Sequence, residues 1–146
     1  MNNPLRTPED YENYLYTLSD KYKFIQHSTL TFIRRGSSLA RVSDELHFAQ
    51  KIRLVIRERI IFERLPAVID WYGYEIWQED KKICWYDSQP HPHDPILQTT
   101  HPHHKHIHPN IKHNRIPAPE MSFTKPNLTI LINEIETLLK NINKDK

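Results

Sequence analysis

The chain has 146 residues and a mass of 17.6 kDa, with 38% hydrophobic and 26% charged residues and a formal net charge of +2. That length and apolar content fit a single folded domain spanning 1–146 and argue against wholesale disorder, and so small a net charge does not announce nucleic-acid binding. No apolar run approaches the ~20 residues of a membrane-spanning helix, Met1–Asp10 is too polar for a leader, and the lone Cys84 excludes an intrachain disulfide and multi-cysteine zinc modules, so a reducing cytoplasm is the expected compartment.

The first block, TPEDYENYLYTLSDKY, reads as a helix of about three turns. Thr7 or Pro8 opens it, Glu9, Asp10 and Glu12 occupy its first turns, and Tyr11, Leu15 and Leu18 recur at helical spacing. From about Phe24 to Asp87 the chemistry is that of strands: Ile, Val, Thr, Phe, Tyr and Trp, punctuated by turn signals. Five strands are expected, over Phe24–Arg35, Leu39–Phe48, Ile52–Arg64, Val68–Gln78 and Lys82–Asp87, with Asp44 interrupting the apolar face of the second. Short connections make them an antiparallel meander.

The third strand is the most informative. Ile52, Leu54, Ile56, Ile60 and Phe62 fall on even positions, and Arg53, Arg57 and Arg59 on odd ones. A strand would show one apolar face and one arginine face. A helix competes, because Ile52, Ile56 and Ile60 also recur every four residues, but the density of β-branched residues favours the strand. The arginines could contact RNA phosphates, although exposed strand faces are often charged without a ligand. Glu58 falls on the apolar face, so either a bulge re-aims it or the strand ends there. Trp71, Tyr72, Tyr74, Trp77, Trp85 and Tyr86 are expected in the core or on the sheet surface, His27 and His47 on strand surfaces, and Cys84 as a small core residue.

Residues 88–126 should form a long irregular segment, because repeated X-Pro pairs oppose helix and central strand alike. Eight of the ten histidines lie between His91 and His113, and seven of the eleven prolines between Pro90 and Pro119. The last block, 127–143, is an amphipathic helix in which Leu128, Leu131, Ile132, Ile135, Leu138 and Leu139 share a face and Asn127 is placed to cap it. The fold expected is therefore α+β: a five-stranded antiparallel meander flanked by an N-terminal and a C-terminal helix, with a long His/Pro-rich loop.

Charge is unevenly spread. Lys21–Arg64 holds ten Lys/Arg against four Asp/Glu, Leu65–Asp80 holds four acids and no base, and Leu97–Pro119 holds three bases, six histidines and no acid. The densest chemistry lies between Trp85 and Pro109, in WYDSQPHPHDP and THPHHKHIHP, where Asp87 ends a strand and Asp94 follows seven residues later. Imidazole serves both acid–base chemistry near neutrality and metal ligation. Metal-free RNA cleavage needs a base, an acid and cationic stabilisation of the transition state, for which Asp87, His91, His103, His104, Lys105 and His106 are the candidates. That reading calls for no cofactor. Metal-assisted hydrolysis is the alternative, with a divalent ion on Asp87, His91, His101 and His103. A non-catalytic metal- or partner-binding module is a third option, and a low-complexity loop with adventitious metal affinity is the bland one.

The stretch from YGYEIW through KKICWYDSQPHPHDP to NLTILINEIETL resembles the TumE-type toxin family of bacterial toxin–antitoxin pairs. The elements carrying the resemblance are Trp85, Tyr86 and Asp87, then Pro90 and His91, then Pro102, His103, His104, Lys105 and His106, and the likeness spans roughly Ser28 to Leu139. It implies a small cytoplasmic prokaryotic protein, the toxin half of a two-gene module, with a helix-turn-helix antitoxin as partner. RNA is the expected substrate on the strength of the His/Asp/Lys/Arg inventory and the habits of small toxins. No membrane association is expected, and a homo-oligomer is compatible with the sequence.

Overall fold

In the computed structural model, which describes residues 3–144, eight strands form one antiparallel sheet, and the three α-helices contribute to a common core on one of its faces. Thr7 opens α1 (Pro8–Tyr16): its hydroxyl accepts the Asp10 N–H at 3.0 Å, Pro8 takes the first helical position, and Glu9 and Asp10 face the positive end of the helix dipole. The expected single helix breaks at Thr17, after which α2 (Leu18–Lys21) adds one more turn. Tyr11, Leu15 and Leu18 enter the core.

The expected first strand is two pieces, β1 (His27–Ser28) and β2 (Thr31–Arg35), both paired with β3 (Leu39–His47). The break falls at Thr29, whose hydroxyl donates to Asp44 Oδ1 at 2.6 Å, and Asp44 has a positive φ of 94°. A side chain–side chain bond thus stabilises a local irregularity that interrupts the first expected strand while β3 runs on through Asp44. The meander continues through β4 (Ile52–Ile61), β5 (Val68–Gln78) and β6 (Lys81–Asp87). On β4 the alternation is as read from the sequence, with Ile52, Leu54, Ile56 and Ile60 buried. The acidic block closes on the basic one: Lys51 pairs with Glu79, Arg57 with Glu75 and Arg59 with Asp70, while Arg53 pairs with Glu45 within the basic block.

The sheet does not stop at five strands. Beyond β6 it gains β7 (His104–His106) and β8 (Arg115–Pro117), both from the segment expected to be irregular. Two facts reconcile the prolines with strands. Pro102 precedes β7, and Pro117 ends β8 on the sheet edge, where a missing N–H leaves no ladder partner wanting. Between β6 and β7, Asp94 accepts the Ile96 N–H and starts a short 3₁₀ helix over Pro95–Thr100.

The C-terminal helix α3 (Leu128–Lys144) buries Leu128, Leu131, Ile132 and Ile135 against the sheet. Burying one such side chain contributes roughly 1.5–3 kcal/mol. Asn127 precedes α3, and its carbonyl accepts from Ile130 and Leu131. Its side chain does not cap the helix. Oδ1 accepts from Ser122 N–H, and Nδ2 donates to the Ser122 carbonyl and to Tyr74 Oη. Among the described residues no helix is long and apolar enough to cross a membrane.

Glu58 corrects a sequence expectation. No bulge turns it away and the strand does not end, so it stays on the apolar face, 2% exposed. Its carboxylate accepts from the Tyr11 and Tyr74 hydroxyls, which ties α1 and β5 to β4. Burial pushes its pKa from 4.5 up to about 7 against the lowering effect of the two tyrosines. The folded chain therefore holds this proton more tightly than the unfolded chain. Its contribution to stability is full below pH 4.5 and is lost as pH rises towards 7, by on the order of 3 kcal/mol. Glu58→Gln should remove that component, so that thermal melts from pH 4.5 to 8 show a smaller decline for the variant than for the wild type.

Candidate active site

Directly paired residues on neighbouring strands share a face of the sheet. The register therefore defines a row running Arg57 on β4, Gly73 on β5, Asp87 on β6 and His104 on β7. The next row holds Glu75, Trp85, His106 and Arg115. Both rows lie on the face opposite Glu58, Tyr74 and Tyr86 and away from α3.

Asp87, His104 and His106 converge at the strand end. His104 Nε2 lies 2.9 Å from Asp87 Oδ1, His106 Nε2 lies 3.2 Å from Asp87 Oδ2, and the two Nε2 atoms are 3.2 Å apart. The residues are 7%, 0% and 3% exposed respectively. Each imidazole is oriented from behind. Nδ1 of His104 lies 3.0 Å from the Pro102 carbonyl and Nδ1 of His106 lies 2.9 Å from the Ile111 carbonyl. A carbonyl only accepts, so both Nδ1 atoms carry the hydrogen, and in the neutral ring both Nε2 atoms present lone pairs. Trp85 stacks on the His106 ring with centroids 3.8 Å apart. Burial alone would raise the Asp87 pKa, but hydrogen bonds from His104 and His106 in their doubly protonated form, together with the Gln89 N–H, hold it well below the usual carboxylate range.

The chain after β6 folds over this cluster. The His91 ring meets His104 edge-on at 4.8 Å, and one Arg115 nitrogen lies about equally close to both His91 ring nitrogens, at 3.0 and 2.9 Å. Pro90–Pro95 and Arg115 line an open cleft of about 600 Å³. Burial and the positive charge of Arg115 lower the His91 pKa. Arg115 Nε is buried without a hydrogen-bond partner among the described residues, so one donor of the guanidinium is left unpaired inside the protein.

The six residues singled out from sequence do not form one group. Asp87, His104 and His106 meet, and His91 stands over them. Lys105 alternates to the opposite face, where it pairs with Glu134 of α3 at 3.0 Å and lies over the Tyr86 ring. His103 is withdrawn from the cluster as well: its Nδ1 is hydrogen-bonded to Tyr72 Oη at 2.6 Å, and its ring packs on Phe123. Burial and neighbouring histidines lower the His103 pKa, which favours the neutral ring. The ligand set Asp87, His91, His101 and His103 is likewise not what the fold gathers. His101 is exposed, and the one grouping of three or more metal-ligating side chains among the described residues is Asp87, His104 and His106. Of the arginines, Arg57 shares the Asp87 row, two strand spacings or about 10 Å away, across a Gly73 that offers no side chain. All three arginines are paired with carboxylates, Arg53 with Glu45, Arg57 with Glu75 and Arg59 with Asp70. Arg115 and the stacking role of Trp85 were missed. Arg115 carried no readable signal, because its strand is three residues long and ends in proline. Cys84 is a buried core residue whose thiol is pushed up to about 12 by burial and the Glu134 carboxylate.

The family model described as Toxin TumE matches residues 15–139. The chain belongs to this toxin family, and membership carries toxin function and implies an antitoxin as partner. No curated protein and no solved structure matches the chain.

The opposite-face placement of Lys105 is directly measurable. A double-mutant cycle of Lys105→Met with Glu134→Gln should give a coupling of about 0.5–1 kcal/mol, the size expected of a partly exposed pair, in denaturant melts, while Lys105→Met with Asp87→Asn should be additive.

Proposed function

We propose that this toxin is an endoribonuclease whose reacting centre is Asp87, His104 and His106, with His91 and Arg115 receiving the scissile phosphate. The supporting observation is the buried convergence of one carboxylate and two Nε2 atoms beneath an open cleft with an arginine at its edge. Cleaving a phosphodiester requires a group that takes a proton from the attacking hydroxyl and positive charge near the phosphorane oxygens. Asp87 and the two backbone carbonyls fix the imidazoles in one tautomer and orientation. Arg115 brings a cation to the edge of the cleft. Arg57 contributes a phosphate contact along the same face. Metal-assisted hydrolysis is a second reading of the same centre, favoured by the facing lone pairs of the two imidazoles. The toxin acts in the cytoplasm, and a helix-turn-helix protein encoded beside it is the proposed antitoxin.

Purified protein incubated with cellular RNA should produce discrete fragments. Asp87→Asn, His104→Ala and His106→Ala should each slow cleavage by about 10²–10⁴-fold, the range of a lost acid–base group, and abolish growth inhibition. Lys105→Met should keep both activities. Growth inhibition by folded wild-type protein that leaves RNA intact would replace this reading with a non-catalytic binding module.

A further inference from the structure

We propose that Asp87, His104 and His106 bind one divalent transition-metal ion through Nε2 of each histidine and the Asp87 carboxylate, leaving coordination positions open towards the cleft at His91 and Arg115.

The first argument is charge and lone-pair accounting. With both Nδ1 hydrogens spent on the Pro102 and Ile111 carbonyls, three acceptors face one another at 2.9, 3.2 and 3.2 Å in a buried pocket. Such a cluster requires a cation. A single proton on His104 Nε2 would serve Asp87 Oδ1 and His106 Nε2, but would still leave His106 Nε2 against Asp87 Oδ2, acceptor against acceptor. A metal ion serves all three.

The second argument is size. Bonds of about 2.0–2.1 Å place tetrahedral ligands about 3.3 Å apart and adjacent octahedral ligands about 2.9 Å apart. The two Nε2 atoms, 3.2 Å apart, match one edge of such a polyhedron, and each lies at a comparable distance from the Asp87 carboxylate, His104 at 2.9 Å from Oδ1 and His106 at 3.2 Å from Oδ2. Two imidazoles and a carboxylate on one face, without thiolate, suit zinc, iron(II) or manganese rather than copper(I) or calcium.

The third argument is the supporting shell. Metal-binding histidines ordinarily donate their second ring N–H to a carbonyl or carboxylate, and both do so here. Asp87 Oδ1 is oriented by the Gln89 N–H at 2.9 Å, and the His106 ring is clamped by Trp85. Asp87 and His104 are direct cross-strand partners and His106 is two residues on, so all three ligands stand on sheet backbone rather than on loop. The set differs from the Asp87, His91, His101 and His103 grouping suggested by sequence.

The site does not depend on RNA being the substrate. Metal binding without RNA turnover would remove the ribonuclease reading and leave this one standing, and RNA turnover by chelator-treated protein without metal binding would do the reverse. The test is titration of chelator-stripped full-length protein with Co²⁺ and Zn²⁺, followed by calorimetry and, for cobalt, by visible absorption. One tight equivalent per chain is expected, with cobalt d–d bands that zinc abolishes and a zinc-dependent rise in the thermal melt. His106→Gln and Asp87→Ala should each weaken binding at least 100-fold, since even supporting residues typically cost 10–100-fold. The combined variant His91→Ala, His93→Ala, His101→Ala should retain the tight site. Tight binding that survives His106→Gln and Asp87→Ala but is lost in the His91/His93/His101 variant would show only adventitious chelation by exposed histidines and overturn the proposal. Should the triad variants fail to fold, the wild type decides: absence of the cobalt bands at one equivalent is equally fatal.

Discussion

The pairing of β7 with β6 is the constraint on which the site depends. It sets His104 opposite Asp87 and His106 opposite Trp85. From that register follow the ion contacts at Asp87, the stacking of His106 on Trp85, and the exclusion of Lys105 to the other face. A slip of one residue would exchange the imidazoles for the ammonium, because side chains alternate across a strand. Lys105 helps prevent that slip: its bond to Glu134 anchors the strand to α3 on one face while the histidines meet Asp87 on the other.

The sheet thus carries two buried carboxylates with opposite electrostatics. Glu58, on the helix-covered face, meets only neutral tyrosine donors, which do not offset the loss of hydration, and its pKa rises. Asp87, on the other face, meets two imidazoles and a backbone N–H, and its pKa falls. The first arrangement fastens α1 and β5 to β4. The second concentrates negative charge beneath an open cleft, where a cation or a reacting phosphate can use it.

Much of this was legible in the sequence, for identifiable reasons. The alternation of Ile52, Leu54, Ile56 and Ile60 against Arg53, Arg57 and Arg59 gave the third long strand and its two faces, and the helical spacing of Leu128, Leu131, Ile132 and Ile135 gave α3. The Pro-His-His-Lys-His run marked the toxin family. The strands β7 and β8 were hidden because histidine, lysine and arginine give no apolar alternation and the surrounding prolines argue for loop. Glu58 was expected to be turned away by a bulge or a strand end, because its partner Tyr11 lies 47 residues away and no local pattern announces it.

The sequence alone determined which residue types were available and how they alternate, because burial periodicity is a local property written into each segment. It determined that the histidines follow a strand ending on Asp87. Only the tertiary structure decided which histidines meet. That choice depends on which backbone pairs with β6, and strand pairing is a non-local event whose register joins residues 17 to 21 positions apart. The same pairing left His101 exposed, gave His103 to Tyr72, and brought Arg115 to the cleft.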